Sequence, residues 1–166
     1  MELETANLIL KKELTDKDIE KLHNNVLIHE ETAKYMLYKK SDTLEETKAR
    51  IDKWSSWDNM YWIFKKISNE PIGFLSFIES ESEITNIGLC IGKDYIRKGY
   101  GKQVLSQLIE YAKANGKKMI EYSAFHENVA SIELAKKLGF IYSHNKQSIR
   151  NWDNLEFTED FYTKGL

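Results

Sequence analysis

Apolar positions along this chain change their spacing several times, and each change marks a boundary. Leu8-Ile9-Leu10 is a short apolar run that fits an opening strand. Thr15 with Asp18 three residues on is a capping-box-like helix start, and residues 16–36 read as a helix interrupted at polar Asn24-Asn25. Thr43 followed by Glu46 is a second capping box. It opens a helix to about Trp57, with Leu44, Ile51 and Trp54 on a common side. The period then shortens. Residues 61–67 and 72–78 read as an antiparallel pair around Ser68-Asn69-Glu70-Pro71, a hairpin turn. Residues 84–91 form a third strand, followed by a glycine-rich turn and a helix over about residues 101–115. Val104, Leu105, Leu108, Ile109 and Ala112 make one stripe of that helix, and Asn115-Gly116 ends it. Residues 119–125 read as a buried strand. Asn128 caps a further helix that ends at Gly139, and two strand-like runs, 141–149 and 155–162, close the chain. Consecutive hairpins with one or two crossovers predict an α/β chain with a mixed sheet and helices on both faces.

Composition narrows the partners more than the fold. The 166 residues are 42% hydrophobic and 12% aromatic, with no linker-like stretch. The expectation is one domain, 1–166, burying roughly 70% of its unfolded surface. Twenty-four Lys and Arg against 26 Asp and Glu leave a net charge of −2. That argues against a surface built for nucleic acid. Cys90 is the single cysteine, so neither an intrachain disulfide nor a cysteine-based zinc cluster is expected, and no metal site is assigned. No apolar run approaches the roughly 20 residues needed to span a bilayer. Met1-Glu2-Leu3-Glu4 is acidic and lacks an apolar core, so a cytoplasmic protein with no membrane partner is expected.

The glycine turn carries the first chemistry. It reads Gly92-Lys93-Asp94-Tyr95-Ile96-Arg97-Lys98-Gly99-Tyr100-Gly101-Lys102 between a strand and a helix. Backbone N–H groups converge at such a helix start, and the helix dipole favours an anion there. Gly99 and Gly101 admit close backbone approach, and Arg97, Lys98 and Lys102 add cations. No G-x-x-x-x-G-K-[ST] string exists, and Val104 stands where a dinucleotide fingerprint needs its third glycine. A phosphate-loop nucleotide protein is therefore disfavoured.

Downstream, Asn128-Val129-Ala130-Ser131 opens a helix that ends in Leu138-Gly139-Phe140. The glycine loop and this helix, in order, resemble the GCN5-related N-acetyltransferase (GNAT) superfamily. Together with Asn7-Leu8-Ile9-Leu10, they look most like the branch that acetylates N-terminal amines of ribosomal proteins. The resemblance implies a GNAT-like mixed, largely antiparallel twisted sheet of about six or seven strands. It implies acetyl-CoA as acetyl donor, without a metal. Leu89, Cys90 and Ile91 would pair with the pantetheine amides, in the manner of an added strand. The amides of Arg97, Lys98, Gly99, Tyr100, Gly101 and Lys102 would hold the pyrophosphate. Asn128 would bond the pantetheine arm, with Ser131 in reach of it. Three positions depart from the family pattern. Ile96 replaces the first Gln or Arg of the loop, Asn86 a frequent glutamate, and Ala135 a tyrosine that serves as general acid.

The implied reaction is direct attack of a neutral amine on the thioester, which needs a base for the amine proton. A donor for the oxyanion is needed as well, and the backbone amide near Ile91 is one candidate. Glu79, Glu81, Glu83, His126 and an ordered water chain remain candidates for the base, and Ser131 is the candidate partner for the thiolate. Cys90 as nucleophile is weighed against an ordinary buried thiol, which the apolar strand favours. Trp54, Trp57, Trp62 and Trp152 with Tyr35 and Tyr38 are candidates to line an acceptor cleft. The acceptor class stays open among a small molecule, a polyamine and a peptide N-terminus, and the protein between monomer and homodimer. Lys93, Arg97, Lys98 and Lys102 against Asp94 make a local +3, while Glu79, Glu81 and Glu83 make a local −3 suited to a cationic acceptor. A CoA-binding domain without turnover is the competing function.

Overall fold

The computed structural model describes residues 3–166. Among them are eight strands and five α-helices, and the strands follow the order β1-β2-β3-β4-β5-β6-β8-β7. They are β1 (Leu3–Glu4), β2 (Leu8–Lys11), β3 (Met60–Lys65), β4 (Glu70–Glu79), β5 (Glu83–Ile91), β6 (Met119–Phe125), β7 (Ile141–Arg150) and β8 (Leu155–Gly165). The helices are α1 (Asp16–Leu22), α2 (Glu30–Ala33), α3 (Leu44–Ser55), α4 (Tyr100–Ala114) and α5 (Val129–Lys137). The mixed α/β architecture is the expected one. The count exceeds six or seven because β1 has only two residues, too few to show an alternation.

Two compact units divide the chain. The first comprises Met1–Ser76 with Gly88–Gln107. Here β2 pairs antiparallel with both β1 and β3, and β3 pairs antiparallel with β4. Thr15 caps α1 with a complete capping box, its hydroxyl accepting from the Asp18 N–H and the Asp18 carboxylate from the Thr15 N–H. The helix loosens into a π-turn at His23–Leu27, where the sequence places Asn24-Asn25. Asn25 Nδ2 donates to the Pro71 carbonyl at 2.9 Å, a contact that an unbroken amphipathic helix has no reason to make. At α3 the second capping box is half of one. Thr43 accepts from the Glu46 N–H, but the Glu46 carboxylate takes the Asp42 N–H instead. The unit's core packs Leu22, Val26, Leu27, Ile51, Trp54, Met60, Trp62, Phe64, Phe74 and Cys90.

The hairpin turn falls slightly earlier than the sequence suggests. Residues 66–69 make it, with Asn69 at φ 50°, and Pro71 lies inside β4. Pro71 faces Phe64 where the β3–β4 register shifts, which is where a strand tolerates a residue with no N–H to donate.

The second unit comprises Phe77–Ile87 with Leu108–Leu166. β5 and β6 pair in parallel, β6 and β8 antiparallel, and β8 and β7 antiparallel. The last two strands therefore form a hairpin whose second arm lies beside β6. Phe125 and Phe157 stack with centroids 3.8 Å apart, and Ile84, Leu108, Ile120, Ala135 and Tyr162 are buried with them. Gly139 ends α5 at φ 83°.

Candidate active site

In the first unit, β5 delivers the chain to the glycine loop. Gly92 is buried and its N–H donates to the Ile72 carbonyl at 2.8 Å. A single 3₁₀ turn follows at Lys93–Tyr95, where the Lys93 N–H donates to Thr32 Oγ1 at 3.2 Å. The loop then twice enters the left-handed region, at Arg97 (φ 60°) and Gly99 (φ 81°). A Cβ added at Gly99 meets nothing within 4 Å, so the space above the loop is open. The Gln103 N–H donates to the Gly99 carbonyl at 3.1 Å, the ordinary i→i−4 bond of α4. The amides of Tyr100, Gly101 and Lys102 precede that bond, in the turn where a helix has no internal partners for its donors. Gln103 anchors the helix start by accepting from Thr5 Oγ1 at 2.7 Å. Arg97, Lys98 and Lys102 are exposed around the loop. Ile96 is 50% exposed in the place of a family Gln or Arg and contributes no polar contact.

Just before the loop, Leu89 and Ile91 are half-buried and Cys90 is buried. Burial pushes the Cys90 thiol up to about 12, against the pull of a hydrogen bond with Tyr38. Cys90 Sγ lies 3.7 Å from Tyr38 Oη. Burial and a raised pKa fit a thiol that packs in the core and disfavour it as a nucleophile. Beside it, Tyr38, Trp54, Trp57, Trp62 and Phe74 form one aromatic cluster, with Trp54 and Phe74 centroids 5.0 Å apart. Arg50 covers the Tyr38 and Trp54 rings at 5.3 and 5.7 Å. Trp152 is not part of this cluster. It belongs to the second unit, at the β7–β8 turn, with Arg150 4.5 Å over its ring.

In the second unit, the β5–β6 ladder consists of two pairs, Glu83 with Met119 and Ile84 with Ile120. Two residues further on, Asn86 takes φ 50° within β5. Asparagine adopts that conformation far more readily than glutamate, so the departure at Asn86 serves the backbone. Glu83 closes a tight turn: its N–H donates to Ser80 Oγ and its carbonyl accepts from the Ser80 N–H. It begins β5, whereas the glycine loop follows the strand's other end. The acidic run is also partly answered. Glu79 accepts from Tyr111 Oη at 3.0 Å and pairs with Lys117 Nζ at 2.8 Å.

Asn128 is the N-cap of α5, and its Oδ1 accepts from the Ser131 N–H at 3.3 Å. Ser131 Oγ stands 2.7 Å from Tyr122 Oη. Tyr122 is buried, and burial raises its phenol above the ordinary value. Ala135 is fully buried, so the position gives no hydroxyl. His126 follows β6 at its C-terminal end and is exposed. Its Nδ1 lies 2.6 Å from Oδ2 of the buried Asp160. This hydrogen bond and the carboxylate's charge raise the imidazole pKa. Tyr122, Asp160 and Arg50 were absent from the sequence-derived site. Asp160 was visible in principle, as a charge in β8 on the same face as buried Tyr162.

Comparison with known proteins gives the family and the fold. The family model described as an acetyltransferase (GNAT) domain matches residues 7–141. An uncharacterized N-acetyltransferase of Methanocaldococcus jannaschii is 27% identical over 116 residues, covering 60% of this chain and 50% of that protein. The chain spans about half the length of the first curated relatives it matches. Among solved structures, a GNAT-family acetyltransferase of Bacillus anthracis superposes with TM-score 0.85 at 20% identity, covering 99% of this chain and 98% of that one. A ribosomal L7/L12 alpha-N-protein acetyltransferase, solved in complex with coenzyme A, superposes with TM-score 0.81 at 20% identity. Coverage there is 100% of this chain and 98% of that one. At these identities the superpositions establish the fold.

Proposed function

This chain belongs to the GNAT acetyltransferase domain family, and from that premise we propose that it moves an acetyl group from acetyl-CoA to a primary amine. One observation carries the reading. β5 runs into a loop with left-handed backbone at Arg97 and Gly99, and the first-turn amides of α4 follow with no intrahelical partner. Such a loop suits a pyrophosphate, and the exposed Arg97, Lys98 and Lys102 add the matching charge. In this reading the backbone of Leu89, Cys90 and Ile91 receives the pantetheine amides.

Of the candidates for proton transfer, His126 has the chemistry. When the imidazole is neutral, Asp160 fixes the proton on Nδ1 and leaves the Nε2 lone pair as the base. Glu83 begins β5, at the end opposite the glycine loop, and Ser131 is paired with Tyr122. We assign Ser131 and Tyr122 together as a hydroxyl pair suited to a departing thiolate. Asn128 is assigned to the α5 cap, with its Nδ2 the group left to meet the pantetheine arm. Acceptors to screen are small amines, polyamines and peptide N-termini.

A second reading, a CoA-binding domain without turnover, draws on Asn86 and Ala135, where the family's usual glutamate and tyrosine are missing. Thiol release from acetyl-CoA across an amine panel separates the two. Release with at least one amine, at a rate that falls in His126→Ala, supports transfer. Tight binding with no release from any amine supports the second reading.

A further inference from the structure

Arg50 lies in the middle of α3 with a positive charge that no carboxylate among the described residues approaches within ion-pair distance. Its Nη1 donates to Ser41 Oγ at 2.8 Å, and Ser41 is itself buried. The guanidinium packs over Tyr38 and Trp54. Burial is the main influence on its pKa and lowers it, so the charged form is held at a cost. Glu46 acts on it through space, but that carboxylate is engaged with the Asp42 N–H at 2.7 Å. A guanidinium offers five N–H donors, and the hydrogen bond to Ser41 uses one. An arginine taken partly out of water on an aromatic bed, with donors to spare, is poised for an anion from outside the chain.

Its neighbours connect it to β5. Tyr38, under the guanidinium, reaches Cys90 Sγ at 3.7 Å, between the two half-buried residues proposed to flank the acetyl donor's arm. Within the same cluster, Trp62 stacks on Trp54 at 6.5 Å, and its Nε1 is buried without a hydrogen-bond partner among the described residues. All of these groups belong to the first unit. The acidic run that suggested a cationic acceptor is weakened by Lys117, which pairs with Glu79.

We infer that Arg50 recognises an anionic group on the acceptor, so that the preferred substrates are primary amines that also carry a carboxylate or a phosphate. This rests on the acetyl-transfer reading. The acyl step is unchanged by it: the amine nitrogen bonds to the acetyl carbon, the C–S bond breaks, and the amine proton leaves to base. Arg50 touches the remote end of the acceptor and sets which amine is held.

The test uses the full chain, saturating acetyl-CoA and matched acceptor pairs, followed by thiol release. One pair is Ala-Asp-amide against Ala-Asn-amide, and the other is O-phosphoethanolamine against ethanolamine. The wild-type protein is expected to favour the anionic member of at least one pair by roughly tenfold in kcat/KM, mostly through KM. Which pair shows it distinguishes carboxylate from phosphate. Arg50→Gln is expected to erase the preference while acetyl-CoA still binds. Equal or reversed preference in the wild-type protein overturns the inference, as does an undiminished preference in Arg50→Gln. Acetyl-CoA binding without turnover of either pair also overturns it. Failure to bind acetyl-CoA at all instead overturns the reading on which it rests.

Discussion

His126 and Cys90 show how differently two reactive side chains can be set by what touches them. Asp160 lifts the His126 pKa by accepting its hydrogen bond and by its charge. The folded value lies above the unfolded one. The stabilisation is therefore fully present below about pH 6.5 and is lost as pH rises through the raised folded value. Asp160→Asn should bring the His126 titration, followed by NMR, back toward the ordinary value. It should also move any acid limb of the rate profile to lower pH. An unmoved titration would mean that Asp160 does not set the His126 pKa, and an unmoved acid limb would detach the pair from the chemistry. Cys90 sits in the core with its thiol pushed up to about 12. Cys90→Ala should leave turnover near wild type and cost about 1 kcal/mol in urea unfolding. A folded variant without activity would revive the nucleophile reading.

At the scale of elements, β4 and β5 are held closely enough that side-chain size decides. A Cβ at Gly73 of β4 would lie 2.0 Å from the Cys90 carbonyl oxygen, a backbone atom with little freedom to yield. Gly73→Ala should therefore lose about 2–3 kcal/mol or fail to fold, as read by chemical denaturation. Normal stability would mean that the two strands sit further apart. The sequence places Gly73 inside a strand, at residues 72–78, but does not show which backbone approaches it. α1, α4 and α5 were legible because their signals are local: the Thr15 box, the Val104-to-Ala112 stripe, the Asn128 cap and the stop at Gly139; the helix expected over residues 16–36 instead divides, with α2 separate and ending at Ala33. Pro71 misled for the same reason. Its local signal is a turn, but the β3–β4 register shift gives it a place in a strand.

For the molecule as a whole, the sequence displays the loop proposed for the acetyl donor and hides the residues proposed for the acceptor. The glycine loop is contiguous, so its spacing survives in one line of text. Tyr38, the Arg50 and Trp54 pair on α3, and Cys90 come from three separate segments, and only folding brings them together. The same holds for His126 and Asp160, which are 34 residues apart. A net charge of −2 does not show how the charges are distributed. The basic residues at the loop remain exposed, while the acidic run is partly neutralised by Lys117. The loop between β5 and α4 is proposed to receive the pyrophosphate of acetyl-CoA. Calorimetric titration of the full chain with acetyl-CoA tests it most directly, with wild type and Gly101→Phe compared side by side. Saturable one-site binding to the wild-type protein is expected, with affinity weaker by roughly tenfold or more in a folded Gly101→Phe. No binding to wild type, or equal affinity in the two proteins, would contradict it.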